Sequence, residues 1–188
     1  MRLFVAVDLS EEARQAMAAE QRRIAAALAR GQTSLKWVRP EHMHLTLVFL
    51  GSVDEARVPA VIDALGRDVH TAPFDMVFDG VGAFPPRGAP RVLWTGVTEG
   101  AAQLVVLQRD VGQRAAALGI ALEDRPFNPH LTLGRWRESR PRDRERALAS
   151  EGLGAMARVR VERATLYESR LSPSGPTYTA LAHANLTR

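Results

Sequence analysis

The chain has 188 residues, 46% hydrophobic and 24% charged, with 25 basic against 21 acidic side chains and a net charge of +4. No apolar run approaches the ~20 residues of a membrane span, and the N-terminal "RLFVAVDL" turns acidic too soon for a secretory leader. With no cysteine there is no disulfide, thiolate metal site or cysteine nucleophile, and a cytoplasmic protein is expected.

In chain order, "RLFVAVDL" has the apolar, β-branched character of a strand. Ser10 can cap the helix that follows, with Glu11 and Glu12 in its first turn, Gly31 beyond its end, and Ala13, Met17, Ile24 and Leu28 at helical spacing. "HLTLVFLG" then reads as a strand ending at Gly51, and a helix from about Asp54 buries Val58, Val61, Ile62 and Leu65. "FDMVFDGVGAF" alternates like a half-buried strand. The order now recurs. "RVLWTGV" is a strand, and a helix follows with Leu104, Leu107, Val111 and Leu118 on one stripe. A second "HLTL" strand, an Arg-rich helix around Pro141–Ser150 and "ARVRVERATLYESRL" complete the second unit, before a last strand, "YTALAHANL".

The two units match residue for residue in places. A shift of 90 lays Leu3–Val7 on Leu93–Val97, and the motif histidines lie 130 − 44 = 86 apart. The expected fold is therefore α+β, a duplicated, two-lobed single domain with antiparallel sheets lining a central cleft and helices outside. Repeats of roughly 1–84 and 90–170 are expected, divided in the Pro/Gly-rich "GAFPPRGAP", with the C-terminal strand returning.

Along a strand, alternate side chains share a face, so His44 joins Thr46 and His130 joins Thr132, while Leu45, Leu47, Leu131 and Leu133 point to the core. Polar pairs on strands built for burial need something to satisfy them. If a pseudo-twofold axis relates the units, two imidazoles and two hydroxyls surround one point. That set suits phosphodiester chemistry: one neutral imidazole takes a proton from the attacking oxygen, one imidazolium gives a proton to the leaving oxygen, and threonines hold phosphate oxygens. A bell-shaped pH dependence about neutrality is expected.

A lone strand histidine is more often structural than catalytic; a doubled His-x-Thr in equivalent slots reverses that weighting. His42 and His44 could form a metal pair, but no Cys or carboxylate pattern accompanies them, so no metal is expected. His70 and His183 read as incidental. The basic residues include a single lysine, Lys36, a bias that genomic GC content explains more simply than phosphate contact. The Arg135–Arg146 run reads most simply as a solvated helix with its connector.

"RLFVAVDL", "HLTLVFLG", "FNPHLTLGR" and "ESRLSPSGPTY" together make the chain resemble the two-histidine (2H) phosphoesterases, and within them the bacterial and archaeal RNA 2′,3′-cyclic phosphodiesterases, also called 2′-5′ RNA ligases. The resemblance spans nearly the whole chain. It implies hydrolysis of a terminal RNA 2′,3′-cyclic phosphate to a 2′-phosphate, with reversible 2′-5′ ligation as an accompanying reaction. It assigns His44 as proton donor, His130 as proton acceptor, and Thr46, Thr132 and Arg135 as substrate-binding residues. Strict alternation, however, puts Arg135 on the opposite face from His130 unless the strand bends at Gly134. The implied partner is RNA ending in a cyclic phosphate, tRNA fragments included, with no cofactor, no membrane and a monomeric state. Two alternatives remain: the same chemistry on a small cyclic nucleotide or ADP-ribose cyclic phosphate, and a non-catalytic module that holds RNA ends.

Overall fold

The computed structural model describes residues 1–29, 34–149, 155–173 and 175–188. Two five-stranded sheets carry the molecule. In the first, β1 (Arg2–Asp8) lies between β3 (His44–Ser52) and β9 (Arg163–Ser172), and β10 (Gly175–Thr187) and β4 (Val69–His70) extend it beyond β9. In the second, β6 (Val92–Glu99) lies between β7 (His130–Trp136) and β5 (Phe74–Phe84), flanked outermost by β2 (Leu35–Trp37) and β8 (Ala157–Val161). Pairing is antiparallel throughout except between β4 and β10. The motif strands β3 and β7 pack against each other and bring the two sheets together.

The helices form where the capping and periodicity place them. Ser10 Oγ accepts from the Ala13 amide at 3.2 Å and starts α1 (Glu11–Leu28), which buries Ala13, Met17, Ile24 and Leu28 as expected. The expected stop at Gly31 lies outside the described residues. Asp54 caps a 3-10 turn, Glu55–Arg57, that leads into α2 (Val58–Leu65); Val58, Val61 and Leu65 are buried there and Ile62 partly so. Gly100, at φ 80°, starts α3 (Ala101–Ala117), and a Cβ there would meet the Asp75 carbonyl at 2.5 Å. The Arg-rich helix α4 runs Pro141–Leu148; Ser150 lies outside the described residues. It is docked rather than merely solvated: Asp143 is buried and accepts from the Arg140 amide at 2.7 Å, and Arg144 donates to the Pro85 carbonyl. No helix among the described residues is long and apolar enough to cross a membrane.

The expected division at 84/90 does not coincide with the sheets. Phe84 pairs with Val92, and the Arg91 amide donates to the Phe84 carbonyl at 2.7 Å, so "GAFPPRGAP" is a hairpin turn inside the second sheet. A connection that short forces its flanking strands to be neighbours. The third strand of the first unit, β5, therefore joins the first strand of the second unit, β6. Reciprocally β9, from the second unit, pairs with β1. The helices cross in the same way: α1 packs against β8 and α4, whereas α3 packs against β3 and α2.

The 90-residue shift is corrected as well. Ala6 lies opposite Thr46 and Trp94 opposite Thr132. The first strands are thus related by 94 − 6 = 88 and the motif strands by 132 − 46 = 86. The apparent match of Leu3–Val7 to Leu93–Val97 arose because two apolar strands resemble each other at several registers; a slip of two keeps every side chain on its face.

Candidate active site

Each motif histidine is held in the same way. His44 Nδ1 donates to the carbonyl of His42 at 2.8 Å, and His130 Nδ1 donates to the carbonyl of Asn128 at 2.7 Å, two residues upstream in both cases. The 3-10 turn Pro40–His42 aims the first carbonyl, and Pro129 restricts Asn128 to extended backbone and aims the second. With Nδ1 occupied, Nε2 is the atom left to face the cleft and exchange a proton.

Aromatic rings bracket both imidazoles. His44 lies 4.8 Å from Phe4 and 5.1 Å from the edge-on ring of Tyr178, while His130 lies 5.2 Å from Phe84 and 6.1 Å from Trp94. Burial holds both imidazoles below the ordinary 6.5, opposed by the Nδ1 hydrogen bonds and reinforced by the Arg135 guanidinium, which acts on both.

A β-bulge beside Gly134 sets the face of Arg135. Gly134 pairs with Leu93 and Thr132 with Trp94, so Leu133 is an extra residue that shifts the alternation by one. His130, Thr132 and Arg135 thereby share a face, and Leu133 and Gly134 are buried in succession. Gly134 meets a different demand, since a Cβ there would lie 2.9 Å from Leu35 Cδ1 on the neighbouring β2. The bulge is supported from α1: buried Gln21 donates from Nε2 to the Leu133 carbonyl at 2.9 Å and to the Val38 carbonyl at 2.7 Å. β3 carries the same bulge at Leu47, where Val48 pairs with Val5 and Thr46 with Ala6. The residue in the slot of Arg135 is there Phe49 (135 − 49 = 86), a 48% exposed phenyl turned to the cleft, 6.1 Å from Phe4. The hydroxyls of Thr46 and Thr132 lie on the same faces as the histidines, with no side-chain partner among the described residues.

The halves differ behind the histidines. Asp8 lies directly across β1–β3 from His44, whereas the equivalent position opposite His130 is Gly96. The Asp8 carboxylate accepts from Tyr167 Oη at 2.6 Å and Thr165 Oγ1 at 2.8 Å, and it favours a protonated His44. Burial and Asp8 push the Tyr167 phenol well above its usual range. His183 is not incidental, because its Nδ1 contacts Thr165 Oγ1 at 3.1 Å and extends this network. Sequence reasoning missed Asp8, Gln21, Tyr167 and Tyr178. Only Asp8 carried a signal, as a carboxylate closing an apolar strand. Among the described residues no three His, Asp or Glu side chains cluster as metal ligands.

A sequence model of the LigT-like phosphoesterases matches residues 7–94 and again 96–178, one match for each unit. The RNA 2′,3′-cyclic phosphodiesterase of Archaeoglobus fulgidus is 38% identical over 180 residues, covering 95% of this chain and 96% of the relative. That of Thermotoga maritima is 34% identical over 96% and 93%. Among solved structures, a protein of Thermus thermophilus superposes with a TM-score of 0.78 at 33% identity over 99% of this chain and 98% of that one. Escherichia coli LigT complexed with 3′-AMP superposes with a TM-score of 0.71 at 27% identity over 100% and 98%. With its two bulged His-x-Thr strands and a match that spans both units, the chain belongs to the LigT-like phosphoesterases of the two-histidine superfamily.

Proposed function

We propose that this chain hydrolyses the 2′,3′-cyclic phosphate at an RNA 3′ end to a 2′-phosphomonoester, with His44 as general acid and His130 as general base. The observation that carries this reading is the matched pair of Nδ1 hydrogen bonds, which leaves Nε2 of each histidine as the atom available to exchange a proton. His130 Nε2 takes a proton from water as the water oxygen bonds to phosphorus. The bond from phosphorus to O3′ breaks, and His44 Nε2 protonates the departing O3′. Thr46 and Thr132 hold non-bridging oxygens, and Arg135 offsets their charge. The assignment of acid and base is supported by Asp8, which favours imidazolium at His44 and faces only Gly96 in the other half. A 5′-hydroxyl RNA end in place of the water gives a 2′-5′ linkage with the histidines in the same roles. The reaction proceeds without a metal, in a cytoplasmic monomer; the cysteine-free sequence fits a reducing compartment.

The test is digestion of an oligoribonucleotide with a 2′,3′-cyclic end, the product isomers being resolved by phosphorus NMR. The 2′-phosphate is expected. A 3′-phosphate means that O2′ departs instead, so that the substrate binds in the opposite sense and the donor and acceptor labels lose their support. Turnover confined to mononucleotide or ADP-ribose cyclic phosphates transfers the site to small molecules, and tight RNA binding with no turnover leaves a binding module.

A further inference from the structure

We propose that Lys36, Arg135, Arg137 and Arg91 form a phosphodiester track that holds the RNA strand upstream of the cyclic end, an inference that rests on the RNA-end reading above. Lys36 on β2 is the direct cross-strand partner of Arg135, so the two side chains leave the same face of the sheet. Beyond β7 the ladder continues, with the Arg137 amide donating to the Ser34 carbonyl at 3.3 Å. Trp136 turns into the core and Arg137 outward, on the Arg135 face. From Arg135 to Arg137 is two residues of strand, about 6.6 Å. Arg137 and Arg91 then line a recess of about 230 Å³ whose apolar wall is Trp136.

All four cations are exposed. Among the described residues none lies within ion-pair distance of a carboxylate, whereas Arg158, Arg160 and Arg170 are each paired on β8 and β9. A row of unneutralised guanidinium and ammonium groups starting at the catalytic centre fits successive phosphates of a single strand, and the guanidinium fork matches their oxygens. The track is one-sided. In the other half the slot of Arg135 is occupied by Phe49, which offers a flat face rather than charge. A bound strand is therefore expected to leave the cleft along β7 and β2.

The experiment compares kcat/KM for a pentanucleotide 2′,3′-cyclic phosphate and for the mononucleotide with the same 3′ residue, in the wild type and in Lys36→Ala, Arg137→Ala and the double variant, across a salt series. The wild type is expected to prefer the pentamer. The double variant should lower the pentamer-to-mononucleotide ratio roughly three- to tenfold, and each substitution should flatten the salt dependence for the pentamer by a log–log slope of about 0.7. Because Lys36 is the sole lysine, its rate of acetylation, followed by mass spectrometry, gives a second measurement on the unaltered chain. The 2′-phosphorylated pentamer should protect Lys36 and the mononucleotide product should not. Equal use of the two substrates by the wild type, or an unchanged ratio and salt slope in the double variant, would overturn the track alone. A wild type that turns over neither would overturn the active-site reading and the track with it.

Discussion

Trp94 provides the sharpest test of how the second histidine is positioned. Its indole lies across Gly82 on the paired strand β5, and a Cβ at Gly82 would sit 2.2 Å from Cζ2, 2.3 Å from Cη2 and 2.6 Å from Cε2. Ordinary contact needs about 3.5–4 Å, so Gly82→Ala must displace the ring by more than about 1 Å. The ring cannot move freely, since it packs 5.0 Å from Phe84 and 6.1 Å from His130. Overpacking of this kind costs about 1–3 kcal/mol, and disturbing the aromatic pair adds roughly 0.5–1.5. For a chain of this length the sum lowers Tm by roughly 3–18 °C. With His130 as the base proposed above, a comparable shift of its ring slows turnover by about 10- to 100-fold. Thermal unfolding and kcat on a cyclic phosphate measure the two effects together. Trp94→Phe in the Gly82→Ala background removes the benzo atoms that collide, together with an indole N–H that has no partner among the described residues, and should recover most of the lost Tm. If Gly82→Ala keeps both Tm and kcat, or if Trp94→Phe restores neither, Trp94 is not the wedge that sets His130.

His44→Ala and His130→Ala should each lower turnover at least ~10²-fold, and Thr46→Ala or Thr132→Ala less, because each removes a hydrogen bond rather than a proton carrier; steady-state rates decide, with exposed His70→Ala as the silent control. Both imidazoles are depressed by burial, so the pH profile of kcat/KM should be a bell centred on the acid side of 6.5 rather than about neutrality. Asp8→Asn removes the carboxylate that favours a charged His44, so its alkaline limb should move to lower pH while the acidic limb stays; equal movement of both limbs would contradict the acid assignment. The same depression makes folding favour neutral histidines: their contribution to stability is complete above 6.5 and is lost as pH falls through the lower folded values, measurable as a falling Tm. Gln21→Leu takes the side-chain donor from the Val38 and Leu133 carbonyls, of which Leu133 keeps the Val38 amide, should cost about 1–3 kcal/mol in denaturant unfolding, and should raise KM if the bulge holds Arg135. Hydrolysis should survive a strong chelator; loss of activity that a divalent ion restores would refute the metal-free route.

The motif residues were legible because alternation and duplication are local, repeated signals. Ser10, Met17, Ile24 and Leu28 behave as the helical period requires, and the two histidines occupy equivalent slots. The sheet partners were not legible, since Phe84 and Val92 can be assigned to one hairpin only by knowing that their strands pair. The face of Arg135 was hidden for a related reason. A bulge changes strand parity without a residue type that announces it, and the glycine beside it answers to Leu35 instead. Gln21 falls on the buried stripe of α1 between Met17 and Ile24, but the carbonyls that satisfy it lie 17 and 112 positions away, so its role was not legible.

The exchange of third strands between the units has a consequence for how the molecule can be divided. β1 has β3 on one side and β9 on the other, contributed from opposite ends of the chain, and β6 depends likewise on β5. A fragment cut at the hairpin turn between residues 84 and 92 would therefore leave β1 without β9, β5 without either of its neighbours β6 and β8, and β2 and β4 without β7 and β10, and neither half could fold alone. Mixed together, the two fragments hold every missing partner, so the duplicated halves are suited to complementation: activity should return only on their association, and with a dependence on concentration that the intact chain does not show.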